Sequence, residues 1–245
     1  MEFRILHLYY DIMNLYGEYG NVSALERYLR MQGAEVTIDR LTVGDAPDFC
    51  SYDLVYTGSG TERKQLFVLE DIKRHTESIK NALESGAIFL ATGNSFELFG
   101  KSVTSADGTV HEGLSLFDFT VSLGEKRILG DVIYRSGISE KPFVGFINRA
   151  SEIYGVKHPL FTVVHGIGNS EQDKSEGICE GSFYGTHLTG PCIVKNPHMA
   201  EYFVRLLTSR RSADYSPIRF GNEEKAYMTT LEALTDRFEG KQNRS

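Results

Sequence analysis

The sequence predicts an α/β fold with a mainly parallel sheet, to which the second half of the chain adds antiparallel strands. Three observations carry this. Short apolar runs alternate with amphipathic helical stripes through the first hundred residues, the pattern of βαβ units. Ala87 to Thr92 is an unbroken run of apolar and small residues, the mark of a strand buried on both faces, and Gly93-Asn94-Ser95 breaks it. After Lys101 the texture changes to glycine-punctuated, strand-like pieces.

The elements follow in order. Phe3 to Tyr9 alternates and is rich in strand formers, giving a first strand, and the loop from Tyr10 to Asn21 leads into a helix marked by Leu25, Tyr28 and Leu29 that stops near Gly33. Val36 to Ile38 and Asp53 to Thr57 are short strands, the second ending in Gly58-Ser59-Gly60. Val68, Ile72, Ile79 and Leu83 mark one long amphipathic helix before the Ala87 strand, after which Phe96, Leu98 and Phe99 open an apolar helical stretch. The strand-like pieces are Gly113 to Phe119, Arg127 to Tyr134, Pro142 to Ile147, Phe161 to His165 and Ser182 to Pro191. Met199, Tyr202, Phe203, Leu206 and Leu207 form a helical stripe, Asn222 to Phe238 is a charged helix, and Gly240 to Ser245 reads as a frayed end.

Composition narrows the function classes. A chain of 245 residues with 41% hydrophobic residues can bury a sizeable core, and one domain over 1–210 with a helical tail over 211–245 is the division that its texture supports. A net charge of −7 without a Lys/Arg stripe argues against nucleic-acid binding. No apolar run approaches the length of a membrane span or export signal. Cys50, Cys179 and Cys192 lack both the spacing of a zinc site and the even count of a disulfide framework, so a reducing, cytoplasmic setting is expected, with no metal or cofactor.

A strand, a tight turn at Gly93 and a helical segment form the element that elsewhere holds a Ser or Cys nucleophile at the carboxyl edge of a parallel sheet. Glycine tolerates the positive φ of such a turn but carries no nucleophile. Ser95 partly imitates the Ser of a G-x-S-x-G elbow, although that motif needs a glycine where Glu97 stands.

Several motifs in shared order resemble class I glutamine amidotransferases of the cobyric-acid-synthase-like branch, most closely the GatD group. They are Asn14 to Asn21, Gly58 to Gln65, Phe99-Gly100-Lys101, Arg127 to Asp131, Gly166 to Asn169 with Asp173 to Ile178, and Gly185 to Pro191. The resemblance runs from about Leu6 to Leu207. It implies a three-layer, flavodoxin-like amidotransferase fold and a heterodimer with a MurT-like Mur ligase subunit that amidates the peptidoglycan precursor lipid II. It also implies a Cys–His–carboxylate site that hydrolyses glutamine. Aligned on the family's G-I-C-G-G-Y-Q elbow, Gly93 stands at the Cys; aligned on its G-T-Y-L-H-G-P motif, Thr189 stands at the His. Glu18 occupies the position of the carboxylate, and the family's G-F-E-N-H-G-G is reduced to Gly145-Phe146-Ile147-Asn148-Arg149-Ala150-Ser151.

The resemblance therefore implies a degenerate subunit that acts through binding. Its expected ligand contacts for glutamine or another small carboxylate are Arg127, at the family's carboxylate clamp, the oxyanion loop Gly58, Ser59 and Gly60, and Asn94 and Glu97. An Arg in a surface ion pair is an equal alternative reading of Arg127. Two alternatives stay open. One is an active amidase that uses Ser95 with His187, which shares the strand face of Thr189; the other is a cobyric-acid-synthase-like amidotransferase of cobalamin biosynthesis.

Overall fold

A computed structural model describes residues 1–240. The chain runs β1 (Glu2–Leu8), α1 (Tyr19–Met31), β2 (Glu35–Leu41), β3 (Leu54–Thr57), α2 (Glu62–Ile72), α3 (Thr76–Glu84), β4 (Ile88–Thr92), β5 (Ser102–Thr104), β6 (Val110–Glu112), β7 (Thr120–Ser136) and β8 (Ser139–Tyr154). It continues through β9 (Phe161–His165), β10 (Ser175–Glu176), β11 (Ile178–Glu180), β12 (Phe183–Thr186), β13 (Leu188–Thr189), α4 (Cys192–Lys195), α5 (Pro197–Arg210) and α6 (Asn222–Phe238).

The first sheet has the order β11-β12-β4-β3-β1-β2, with every pair parallel except β11 against β12. Its pleat sorts the side chains of β1. Phe3 and Ile5 join α1 and α5 in one core, while Leu6 and Leu8 join α2 and α3 in the other. All residues of the central strands β3 and β4 are buried, which is why they read as continuous apolar runs rather than alternating ones. Three layers result, with the sheet between the two helix sets.

A second sheet, largely antiparallel, is built on the long β7–β8 ribbon, flanked by β5 and β9 along β7 and by β13 along β8. An irregularity between Leu123 and Ile128 bends this ribbon over the end of the first sheet. Helix α6 lies against it: Tyr227 and Leu234 pack with Ile133 and Val144, and the Tyr227 hydroxyl donates to Pro142 O at 2.7 Å.

Three local expectations change. The single helix through Val68 and Leu83 is two, because the 3-10 turn Lys73–His75 separates α2 from α3 and packs the His75 ring 5.8 Å from that of Phe49. Gly113 to Phe119 is a loop rather than a strand. Its N–H groups from Gly113 to Phe117 donate to carbonyls of Leu98, Phe99, Gly100 and Lys101, with Ser115 left-handed at φ 53°. The apolar stretch after the elbow is a 3-10 segment, Gly93–Phe99, not an α-helix. Of the frayed end expected over Gly240 to Ser245, residues 241–245 lie outside the described residues. Among the described residues no helix is long and apolar enough to cross a membrane.

Candidate functional site

Strand β4 delivers Gly93 to the carboxyl edge of the first sheet in the left-handed region, at φ 61°. The backbone makes a tight left-handed turn here, and a side chain at its apex has no space. A Cβ on Gly93 would lie 2.2 Å from Ser59 Cβ and 3.1 Å from Ser59 Oγ. Ser59 cannot simply rotate away, because the Cβ itself is the obstacle and both its polar groups are tied to Glu18. Ser59 N donates to Glu18 Oε2 at 2.7 Å, and Ser59 Oγ donates to Oε1 at 3.0 Å.

Glu18 is wholly buried and also accepts from Thr92 Oγ1 at 2.7 Å and Tyr56 Oη at 3.2 Å. Burial raises its pKa above the ordinary carboxylate value, and these hydrogen bonds oppose the rise without cancelling it. A Cβ at Gly58 would come 2.5 Å from Glu18 Oε2, so only glycine lets the loop approach the carboxylate this closely. Through these hydrogen bonds the Glu18 carboxylate ties together the ends of β3 and β4.

The remaining loop donors are also engaged. Gly60 N donates to Asn94 Oδ1 at 2.9 Å, and Gln65 Nε2 donates to Asn94 O at 2.8 Å. Ser95 is fully buried and its hydroxyl faces two carbonyls, Thr92 O at 2.9 Å and Thr57 O at 3.1 Å. No hydrogen bond joins Ser95 to His187 among the described residues.

His187 belongs to a different buried cluster. Its Nε2 lies 3.0 Å from Glu97 Oε1, and its Nδ1 lies 3.3 Å from Glu176 Oε1, outside hydrogen-bond alignment. Glu176 is held by His187 N and Thr186 Oγ1, both at 2.7 Å, and Glu97 accepts from Gln65 Nε2 at 2.6 Å and from Ser151 Oγ. Arg149 completes the group, donating to the carbonyls of Asn169 and Gly168. Burial lowers the Arg149 pKa, while the charges of Glu176 and Glu97 pull the other way. Two carboxylates, an imidazole and a guanidinium are thus out of water together, the Phe96 ring standing edge-on to His187 at 4.6 Å.

Above the elbow is a cleft whose rim is a hydrogen-bonded chain. Arg127 pairs with Glu62 at 2.7 Å and donates from Nε to Asn148 Oδ1 at 2.7 Å; Asn148 Nδ2 in turn donates to Tyr16 Oη at 2.8 Å. Ser59, Gly60, Asn94 and Glu97 line the cleft with Arg127, whereas Gly58 does not. Its free volume is about 10 Å³, room for one water molecule. Thr189 sits on β13, its hydroxyl donating to Phe146 O at 3.0 Å. Cys192 is buried, and its thiol is pushed up to about 12, first by burial and then by the charge of Glu18.

Arg149 and Ser151 are the residues of this region that sequence does not mark as part of a site. Their one signal is that they stand where the family motif has a His and a Gly. In the structure the Ser151 hydroxyl donates to Glu97, and Arg149, held by backbone carbonyls, is close enough to feel the charges of Glu176 and Glu97.

Comparison with known proteins agrees with this geometry. The chain is 29% identical to the lipid II isoglutaminyl synthase (glutamine-hydrolyzing) subunit GatD of Staphylococcus aureus over 236 residues, 96% of each protein. It is 30% identical to the corresponding GatD of Streptococcus pneumoniae, over 87% of this chain and 82% of that one. Among solved structures, the glutaminase domain of Trypanosoma brucei CTPS with bound acivicin shares the fold, with a TM-score of 0.54 at 12% identity over 90% of this chain and 98% of that one. Residues 4–197 match the CobB/CobQ-like glutamine amidotransferase domain, and the chain belongs to that family.

Proposed function

We propose that this protein is a GatD-like amidotransferase subunit that has lost glutamine hydrolysis and acts by binding, paired with a MurT-like Mur ligase in the amidation of lipid II or in its regulation. One observation carries the proposal: Ser59 Cβ fills the space that a nucleophilic side chain at Gly93 would need. Loss of a nucleophile commonly costs a factor of about 10⁴ or more in rate, because the members of a triad act as a unit. Here the donors of Ser59 and Gly60, which would stabilise an oxyanion, are also spent on Glu18 and Asn94. What is retained is the scaffold. The homology to GatD, a subunit of a two-part synthase by its name, supports a partner as the route by which the scaffold acts.

Co-expression with the Mur-ligase-like protein of the same organism tests the pairing. A stable complex of one copy of each, by light scattering after size exclusion, supports it; two separate peaks at micromolar concentration reject it.

A second reading is an amidase with displaced residues, and one arrangement favours it. Ser151 Oγ is 3.5 Å from His187 Nε2, with Glu176 on the far side of the ring. Against it, Glu97 Oε1 accepts the Ser151 proton at a shorter distance than His187 does, and all of these groups are buried. A serine that donates to a carboxylate is not activated by the neighbouring imidazole. Residual hydrolysis abolished by Ser151→Ala would restore this reading.

A further inference from the structure

We propose that a second pocket, at the carboxyl edge of β1 and β2 beside the start of α1, binds the oxyanion group of a small molecule, a phosphate or a carboxylate, with Arg40 as the charged contact. This site goes beyond the role proposed above and shares no lining residue with the elbow cleft.

Register and pleat build it. His7 and Arg40 are direct partners in the parallel β1–β2 ladder, so both side chains stand on the face of the sheet that α1 covers. Along that face the rows Phe3, Ile5 and Val36, Ile38 are apolar core. The same rows end at the carboxyl edge in an imidazole and a guanidinium. Open α/β sheets place their ligands at this edge.

The cavity holds about 240 Å³, and its lining includes no carboxylate. Arg40 has no hydrogen-bond or ion-pair partner among the described residues, whereas Arg4 on β1 and Arg30 on α1 are both paired. His7 is 2% exposed, and its Nε2 is buried without a partner. Asn14 spends its Oδ1 on Tyr19 N, which leaves the amide NH₂ to donate. Among the described residues the hydroxyls of Tyr10, Tyr19 and Ser23 also lack protein partners. A pocket that offers donors from every wall and carries an unopposed positive charge is matched by an oxyanion.

His7 adds an internal reporter. Burial, and secondly the charge of Arg40, hold its pKa down to about 4, so the ring is neutral at pH 7. The other titratable groups that face it are the phenols of Tyr10 and Tyr56, with ring centroids 6.3 and 5.3 Å away. An anion bound at Arg40 offsets the lowering by the guanidinium, so the titration midpoint of His7 must rise when the site is filled.

The test uses the full chain, with inorganic phosphate and succinate titrated separately by calorimetry and the His7 ring followed by NMR. Saturable binding of either anion, weakened at least tenfold by Arg40→Ala, largely kept by Arg40→Lys and accompanied by an upward shift of the His7 midpoint, supports the site. Phosphate alone or succinate alone identifies the headgroup. Arg40 is exposed at the edge of the sheet, so an unchanged thermal melt of Arg40→Ala shows that folding is not what was lost. Failure of both anions to bind, binding that Arg40→Ala leaves unchanged, or binding to which His7 does not respond overturns the proposal.

Discussion

A side chain at Gly93 would place its Cβ 2.2 Å from the Cβ of Ser59, so the two positions cannot both carry side chains in this backbone. Gly93→Ala is accordingly destabilising twice over. The left-handed φ costs about 1–2 kcal/mol for a non-glycine residue, and the overpacking adds about 1–3 kcal/mol. Urea unfolding of the variant is expected to show a loss of about 2–5 kcal/mol. Adding Ser59→Gly recovers the overpacking share, because the clash is with the Cβ; Ser59→Ala recovers much less. Parental stability in the single variant would show that the elbow has room.

The buried cluster around His187 gives a larger effect. Removing the imidazole leaves the Glu97 and Glu176 carboxylates buried with nothing between them, and breaking such a group by removing one partner costs about 3–5 kcal/mol. His187→Ala should therefore be among the least stable single variants of this protein by chemical denaturation. A change under 1 kcal/mol would mean that the cluster contributes nothing.

Stability should fall with acid in a window set by two histidines. His7 and His198 are each lowered from the ordinary value of 6.5 to about 4, in both cases chiefly by burial. The unfolded chain binds protons at these sites more readily than the folded one. Their contribution is thus complete above pH 6.5 and lost as pH falls toward 4, about 3 kcal/mol for each at 1.36 kcal/mol per pKa unit. Glu18 acts in the opposite sense. Its pKa is raised on folding, so its contribution is fullest below the ordinary value of 4.5 and declines as pH rises through the folded value. Urea midpoints measured from pH 7 to pH 4 should show a slope roughly halved by His198→Gln and steepened by Glu18→Gln.

Helix α6 buries only Tyr227 and Leu234, and its other attachments include ion pairs of Glu223, Glu224 and Arg237 with half-exposed side chains and the stacking of Phe238 on His165, so its release is a local event. Tyr227 is 2% exposed, donates to Pro142 O and stands edge-on to His198 at 4.9 Å. Tyr227→Ala, at a cost of about 3–5 kcal/mol typical of a deleted core aromatic, should free the helix. Limited proteolysis would then cut between Arg211 and Asn222 well before the rest of the chain. Equal protection of parent and variant would show that α6 is held elsewhere.

The parallel sheet was legible because its strands are buried on both faces, which writes Ala87 to Thr92 and Leu54 to Thr57 into the sequence as unbroken runs. Gly93 was legible for the same local reason, since a turn of positive φ after a strand calls for glycine. Periodicity misled where a stripe continues through a break. Ile72 and Ile79 are seven residues apart and lie on one face whether the helix is continuous or, as here, interrupted at Lys73–His75. Gly113 to Phe119 has the spacing of a strand, but its buried Leu114, Phe117 and Phe119 pin a loop against the turn at Leu98–Lys101. What fills the elbow could not be read locally. Ser59 and Gly93 are brought together only by the pairing of β3 with β4, and Glu97 meets His187 across 90 residues of chain.

The most direct measurement is glutamate release from glutamine by the purified chain, alone and with the Mur-ligase-like protein proposed above to pair with it. Parent, Gly93→Cys and Ser151→Ala should all release none above a buffer blank, because Ser59 Cβ leaves the side chain of Gly93→Cys no space. Release by the parent at turnover rates typical of enzymes, of order 1 s⁻¹ or more, would contradict the loss of hydrolysis at this elbow.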